Sequence, residues 1–170
     1  MDRAEGQEDI TLGSLGPHVD RAHRDTIAVL VTVLRTGRLI ESWLAATLAA
    51  EGLDTSEFTA LMSLYLAGEP HRLAAGEISK SLVQTTGGTT KTVRRLEDRG
   101  LVRRVSDPGD ARRTLVELRD AGRRTAQSSL RFVLDAFDLE IGDLDEAQRR
   151  ELGTGLTRLS VELGDRLDGR

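Results

Sequence analysis

Residues 96–118 read Leu96-Glu97-Asp98-Arg99-Gly100-Leu101-Val102-Arg103-Arg104-Val105-Ser106-Asp107-Pro108-Gly109-Asp110-Ala111-Arg112-Arg113-Thr114-Leu115-Val116-Glu117-Leu118, and this stretch decides the fold. Gly100 stands where a helix ending at Arg99 needs a residue at ease with positive φ. Leu101 to Val105 and Thr114 to Leu118 then run or alternate apolar with β-branched residues. Between them lies Ser-Asp-Pro-Gly-Asp-Ala-Arg-Arg, so two short strands around a turn form a hairpin.

Working upstream, the helix that Gly100 closes begins near Thr86, with Val93 and Leu96 holding it on the body. Thr89, Thr90, Lys91, Arg94 and Arg95 are expected on its outer surface. Gly87 and Gly88 weaken its start by roughly 1 kcal/mol each relative to Ala, and they let backbone amides approach a phosphate closely. Before it come the polar connection Val83-Gln84-Thr85-Thr86 and a shorter helix from about Ala75 to Leu82. Two short helices joined by such a turn outline a helix-turn-helix, and a hairpin directly after one is a wing.

The flanks are helical. Ile27, Leu30, Val31, Leu34, Ile40, Trp43, Leu44 and Leu48 recur mostly at steps of three and four, which predicts one amphipathic helix from Thr26 to Ala50. Thr55 or Ser56 caps a second helix carrying Phe58, Leu61, Met62 and Tyr65, ended by Gly68 and Pro70. Downstream, Ala126, Leu130, Val133, Leu134 and Phe137 keep one face. Leu152, Leu156, Leu159 and Leu163 keep another after a break at Gly142. The expected fold is mostly α with a small β-hairpin wing. It divides into a mobile tail (1–25), an N-terminal helix (26–54), a winged helix-turn-helix (55–119) and C-terminal helices (120–170).

Composition narrows the function. The 170 residues suit one domain with helical extensions, and the absence of cysteine removes disulfides, thiolate metal sites and cysteine nucleophiles together. Lys80 to Arg119 holds ten Lys/Arg against five acids, while the whole chain carries −4. A basic island in an acidic protein points to a local anionic partner, of which nucleic acid is the commonest, or to a solvated charged face. His18, His23 and His71 are scattered, without metal-ligand spacing. Asp107/Asp110 and Asp143/Asp145 read as turn residues, so neither catalysis nor a metal or cofactor is expected. The apolar run Ile27 to Leu34 is far too short to span a membrane and no cleavage pattern follows it, so the expected compartment is the cytoplasm.

With these elements in place, the chain resembles the MarR family of winged helix-turn-helix transcriptional regulators from about Thr26 to Leu167. The strongest part is Leu96 to Arg104 followed by Asp107 to Leu118. The resemblance implies a homodimer whose first and last two helices interlock, on a near-palindromic duplex whose successive major grooves lie about 34 Å apart. It implies that Thr86, Gly88, Thr89, Thr90, Lys91, Arg94 and Arg95 meet bases or phosphates. It also implies an ion pair between Asp110 and Arg112 at the wing tip, with Arg112 or Arg113 entering the minor groove or, alternatively, one of the two neutralising Asp107. A small aromatic or anionic effector is expected in a cleft lined by Trp43, Tyr65, His71 and Arg72, with Arg72 pairing an anion; otherwise Trp43 and Tyr65 are core and His71 and Arg72 exposed loop. Arg119 stands where relatives carry a capping Thr, which leaves Asp120 as the expected cap. The implied function is repression relieved by that effector. The alternative is a winged-helix dimer that binds DNA nonspecifically or presents the same surface to a protein.

Overall fold

A computed structural model of the chain describes residues 20–82, 86–110 and 112–168. Its elements run α1 (Arg21–Ala50), α2 (Thr55–Leu66), β1 (Arg72–Ala74), α3 (Ala75–Leu82), α4 (Thr86–Asp98), β2 (Val102–Ser106), β3 (Thr114–Leu118), α5 (Asp120–Glu140) and α6 (Glu146–Asp168). The mostly helical class with a small sheet is as read. Two compact units divide the chain, Met1–Thr55 and Ser56–Arg170.

In the first unit α1 begins five residues before the expected Thr26. Asp20 caps it, its carboxylate accepting the His23 N–H at 2.9 Å. Residues 21–25 are therefore helix and not tail, while 1–19, the rest of the expected tail, lie outside the described residues. Gly52, at φ 67°, ends α1: its N–H reaches the Ala49 carbonyl and that of Leu53 reaches Leu48. Val29, Leu30, Leu34, Leu39 and Ile40 of α1 are exposed apolar residues.

In the second unit Phe58, Leu61 and Leu64 from α2, Ile78 from α3, and Val93 and Leu96 from α4 form a core with Val102, Val116 and Leu118 of the sheet. The sheet is antiparallel in the order β1-β3-β2. The wing strands match the expected hairpin, but β1 was not foreseen. Its three residues carry no strand signature of their own and form a strand because β3 offers an edge to pair with. Gly100, at φ 70°, closes α4 as expected, with the Leu101 N–H on the Leu96 carbonyl.

The start of α5 departs from the reading. Arg119 is its N-cap, with no side-chain cap bond, and Asp120 is its first residue, an acid in the first turn that favours the helix dipole and pairs with Arg123 at 3.2 Å. Gly122 sits where the helix crosses the end of the wing, so that a Cβ there would stand 2.0 Å from the Leu101 carbonyl oxygen. At α6, Asp145 and Gln148 exchange hydrogen bonds in a reciprocal cap.

Candidate nucleic-acid interface

The expected recognition helix is α4. Val93 and Leu96 are fully buried and fix which side faces out. Lys91 and Arg94 lie on that exposed side, with no protein partner among the described residues, and Thr90 and Gly87 are exposed beside them, with Gly88 half-buried. Thr86 opens the helix, but its side chain, like the connection 83–85, lies outside the described residues.

Thr89 corrects the sequence reading. It is 1% exposed, and its hydroxyl accepts a hydrogen bond from the Ser79 hydroxyl at 2.8 Å, so it braces α3 against α4 and faces no solvent. The signal was present: Thr89 lies four residues before Val93 and seven before Leu96, on the same helical stripe.

Arg95 also differs from expectation. Its Nε donates to Glu57 Oε1 at 3.2 Å, and Arg99 Nη1 donates to Glu57 Oε2 at 3.0 Å. Glu57, in the first turn of α2, is 5% exposed. Sequence reasoning passed over it, although an acid four and seven residues before Leu61 and Leu64 sits on a core-facing stripe and needs a cationic partner.

The wing separates two arginines that the sequence left equivalent. Asp110 accepts both the Arg112 backbone N–H at 3.0 Å and its Nε at 3.4 Å, and the Arg112 side chain is 94% exposed. Arg113 lies 3.8 Å from Asp107, whose carboxylate also accepts the Gly109 N–H. The structure thus brings Asp110 to Arg112 and makes Arg113 the neighbour of Asp107.

At the base of the wing, Arg72, Glu117 and Arg103 face one another across three strands in register. Glu117 accepts from Arg103 at 2.6 Å and from Arg72 at 3.0 Å. The Arg103 hydrogen bond holds its carboxyl below the usual carboxylate range; burial opposes that shift and the Arg72 hydrogen bond adds to it. Arg103 is correspondingly raised, by the same hydrogen bond first. Arg104 pairs with Glu97 at 3.2 Å and ties β2 to α4.

The expected effector set is only partly assembled. Tyr65 and His71 stack at 5.6 Å with 13° between their rings, and the Tyr65 hydroxyl accepts from Gln127. Arg72 does not stand ready for an outside anion, because pairing of β1 with β3 places it on Glu117. Trp43 belongs to α1, in the other unit. The Tyr65 ring instead borders a surface groove of about 690 Å³ with Arg124, Gln127, Arg131 and Leu134 of α5.

Residues 51–113 match the sequence model of the MarR family. Over 98 residues the chain is 29% identical to the HTH-type transcriptional regulator PecS of Dickeya dadantii, covering 58% of this chain and 59% of PecS. The chain spans less than two thirds of the curated relatives it matches. Sco5413, a MarR family transcriptional regulator from Streptomyces coelicolor, superposes with a TM-score of 0.69 at 26% identity, covering 83% of this chain and 96% of that one. The fold is also that of MepR from S. aureus in its DNA complex, with a TM-score of 0.66 at 20% identity over 78% of this chain and 96% of that one. The resemblance to the MarR family holds, and so does the fold class. No helix among the described residues is long and apolar enough to cross a membrane.

Proposed function

We propose that this chain, MarR-like in sequence over residues 51–113 and in fold over most of its length, is a cytoplasmic DNA-binding transcriptional regulator and not an enzyme. The observation that carries the reading is the cationic side of α4. Lys91 and Arg94 are exposed, with no protein partner among the described residues, on a helix whose other side is locked into the core, and Arg112 projects from the neighbouring wing. A helix so held delivers donors to guanine O6 and N7 in the major groove, and an exposed arginine suits the focused negative potential of a narrow minor groove. That MepR, which shares this fold, forms a complex with DNA supports the same use here.

The finer proposal is a homodimeric repressor on a near-palindrome. Supporting it, α1 exposes Val29, Leu30, Leu34 and Leu39, and the C-terminal helices expose Leu139, Leu152, Leu156 and Leu163. Apolar faces of this extent are covered in a working protein, and a two-fold pair of winged units reads two half-sites. We further propose release by a small aromatic anion bound beside Tyr65, with Arg124 or Arg131 in place of Arg72 as its cationic partner. Such a ligand acts only by favouring a wing spacing that does not fit DNA.

The test is binding to the intergenic duplex beside the chain's own gene, against random duplex at several salt concentrations. A preference of about a thousandfold with a protected near-palindrome is the expected result. Equal, equally salt-sensitive affinities would reassign the basic surface to nonspecific binding.

A further inference from the structure

Arg95 of α4 and Arg99, the residue just past its end, converge on one buried carboxylate from α2. Glu57 offers Oε1 to Arg95 Nε at 3.2 Å and Oε2 to Arg99 Nη1 at 3.0 Å, so one oxygen holds the last turn of the helix and the other the residue that follows it. The Glu57 side chain is 7% exposed, whereas those of Arg95 and Arg99 are 38% and 39% exposed. Apolar packing through Val93 and Leu96 resists lifting α4 off the body but is not directional, and directional ties against rotation and sliding come from the Ser79–Thr89 hydrogen bond, the Arg104–Glu97 pair and the contacts of Glu57. A charged fork with fixed donor directions resists both. From this geometry we infer that Glu57 is a positioning residue for DNA recognition: by gripping Arg95 and Arg99 it sets the rotation and axial register of α4, and Arg95 serves the fork and not a base. The inference rests on the DNA-binding reading, and base readout from α4 then falls to Thr90, Lys91 and Arg94.

The fork makes a prediction that ordinary structural loss does not. Glu57→Gln removes a negative charge near the DNA-facing helix and releases two guanidiniums, so affinity for random duplex holds or rises up to about threefold by the added positive charge. Affinity for the preferred duplex falls at least tenfold, because register is lost at the bases. A destabilised protein would instead lose both in proportion to its unfolded fraction, leaving their ratio unchanged.

The experiment uses the full chain and a duplex enriched from a random-sequence library by the wild-type protein. Preferred and random duplexes are titrated with wild type, Glu57→Gln, Arg95→Ala and the double variant, at matched folded concentration measured by circular dichroism. The expected result is a fall of tenfold or more in the specific-to-random ratio for each single variant, with the double variant little worse than either, the signature of two groups acting as one. Glu57→Asp, which keeps the charge on a shorter arm, recovers part of the ratio. An unchanged ratio in Glu57→Gln overturns the inference while leaving DNA recognition standing. So do additive losses, with Arg95→Ala relaxing preference at a single base pair, because that pattern makes Arg95 a base reader. A wild-type chain that enriches no duplex overturns the DNA reading and this inference with it.

Discussion

At the scale of single residues, the partner that holds each arginine sets what else that side chain can bind. Lys91, Arg94, Arg95, Arg112 and Arg113 are all cations of one basic island, yet three-dimensional pairing sorts them: Arg95 on Glu57, Arg113 beside Asp107, Arg112 out at the tip. No periodicity rule finds partners 38 residues apart, whereas the burial of Thr89 followed from its place on the Val93 and Leu96 stripe. Two outcomes follow. Arg112→Ala lowers affinity for duplex DNA about fivefold to tenfold and reduces the salt slope by roughly one unit, whereas Arg113→Ala has the smaller effect. Fluorescence anisotropy at graded salt checks the contrast, and equal effects would contradict the sorting. Glu117 ionises more readily in the folded chain than in the unfolded one, so its stabilisation is complete at pH above its unfolded value of about 4.3. It is lost as pH falls through the lower folded value. Glu117→Gln therefore lowers stability at neutral pH by on the order of 1 kcal/mol. It also flattens the decline of the melting temperature with acid; a wild-type profile identical in shape to the variant's would remove Glu117 from that account.

At the scale of elements, helices with strong apolar periodicity and glycine stops were read close to their observed bounds, and so was the hairpin. The misses are elements defined by something outside their own segment. The strand β1 exists only as a partner for β3, and the first turn of α1 depends on the Asp20 cap. Gly122 shows how a neighbouring element reverses a local rule. In an open helix, Gly→Ala gains up to about 1 kcal/mol; at Gly122 the new Cβ would meet the Leu101 carbonyl oxygen at 2.0 Å, and neither backbone can rotate away as a side chain could. Gly122→Ala is therefore expected to destabilise by about 1–3 kcal/mol, the range for overpacking, or to displace α5 from the wing. Gly76→Ala in α3, with nothing within 4 Å, is expected to be neutral or stabilising by a few tenths of a kcal/mol up to about 1. Urea denaturation of both variants decides the matter, and a stabilised Gly122→Ala would mean that the helix crosses the wing less closely than described.

At the scale of the whole molecule, the family resemblance was readable because the wing sequence and the Gly-Leu-Val helix end are local and adjacent, whereas assembly is a property of surfaces that one chain leaves uncovered. Leu139 is 84% exposed, and Leu152, Leu156, Leu163 and Leu167 join it along the C-terminal helices. If a second copy covers them, Leu156→Glu yields a monomer by sedimentation and lowers affinity for the preferred duplex at least a hundredfold, since both half-sites must be held together to gain effective concentration. A dimer that persists in that variant would locate the interface elsewhere. Whether α4 and the wing read a particular sequence is decided by letting the purified chain select from a library of random duplexes. The expected result is enrichment of a near-palindrome with half-sites about ten base pairs apart, bound about a thousandfold more tightly than random duplex. Selection that enriches nothing, with every duplex bound alike and released alike by salt, would contradict it.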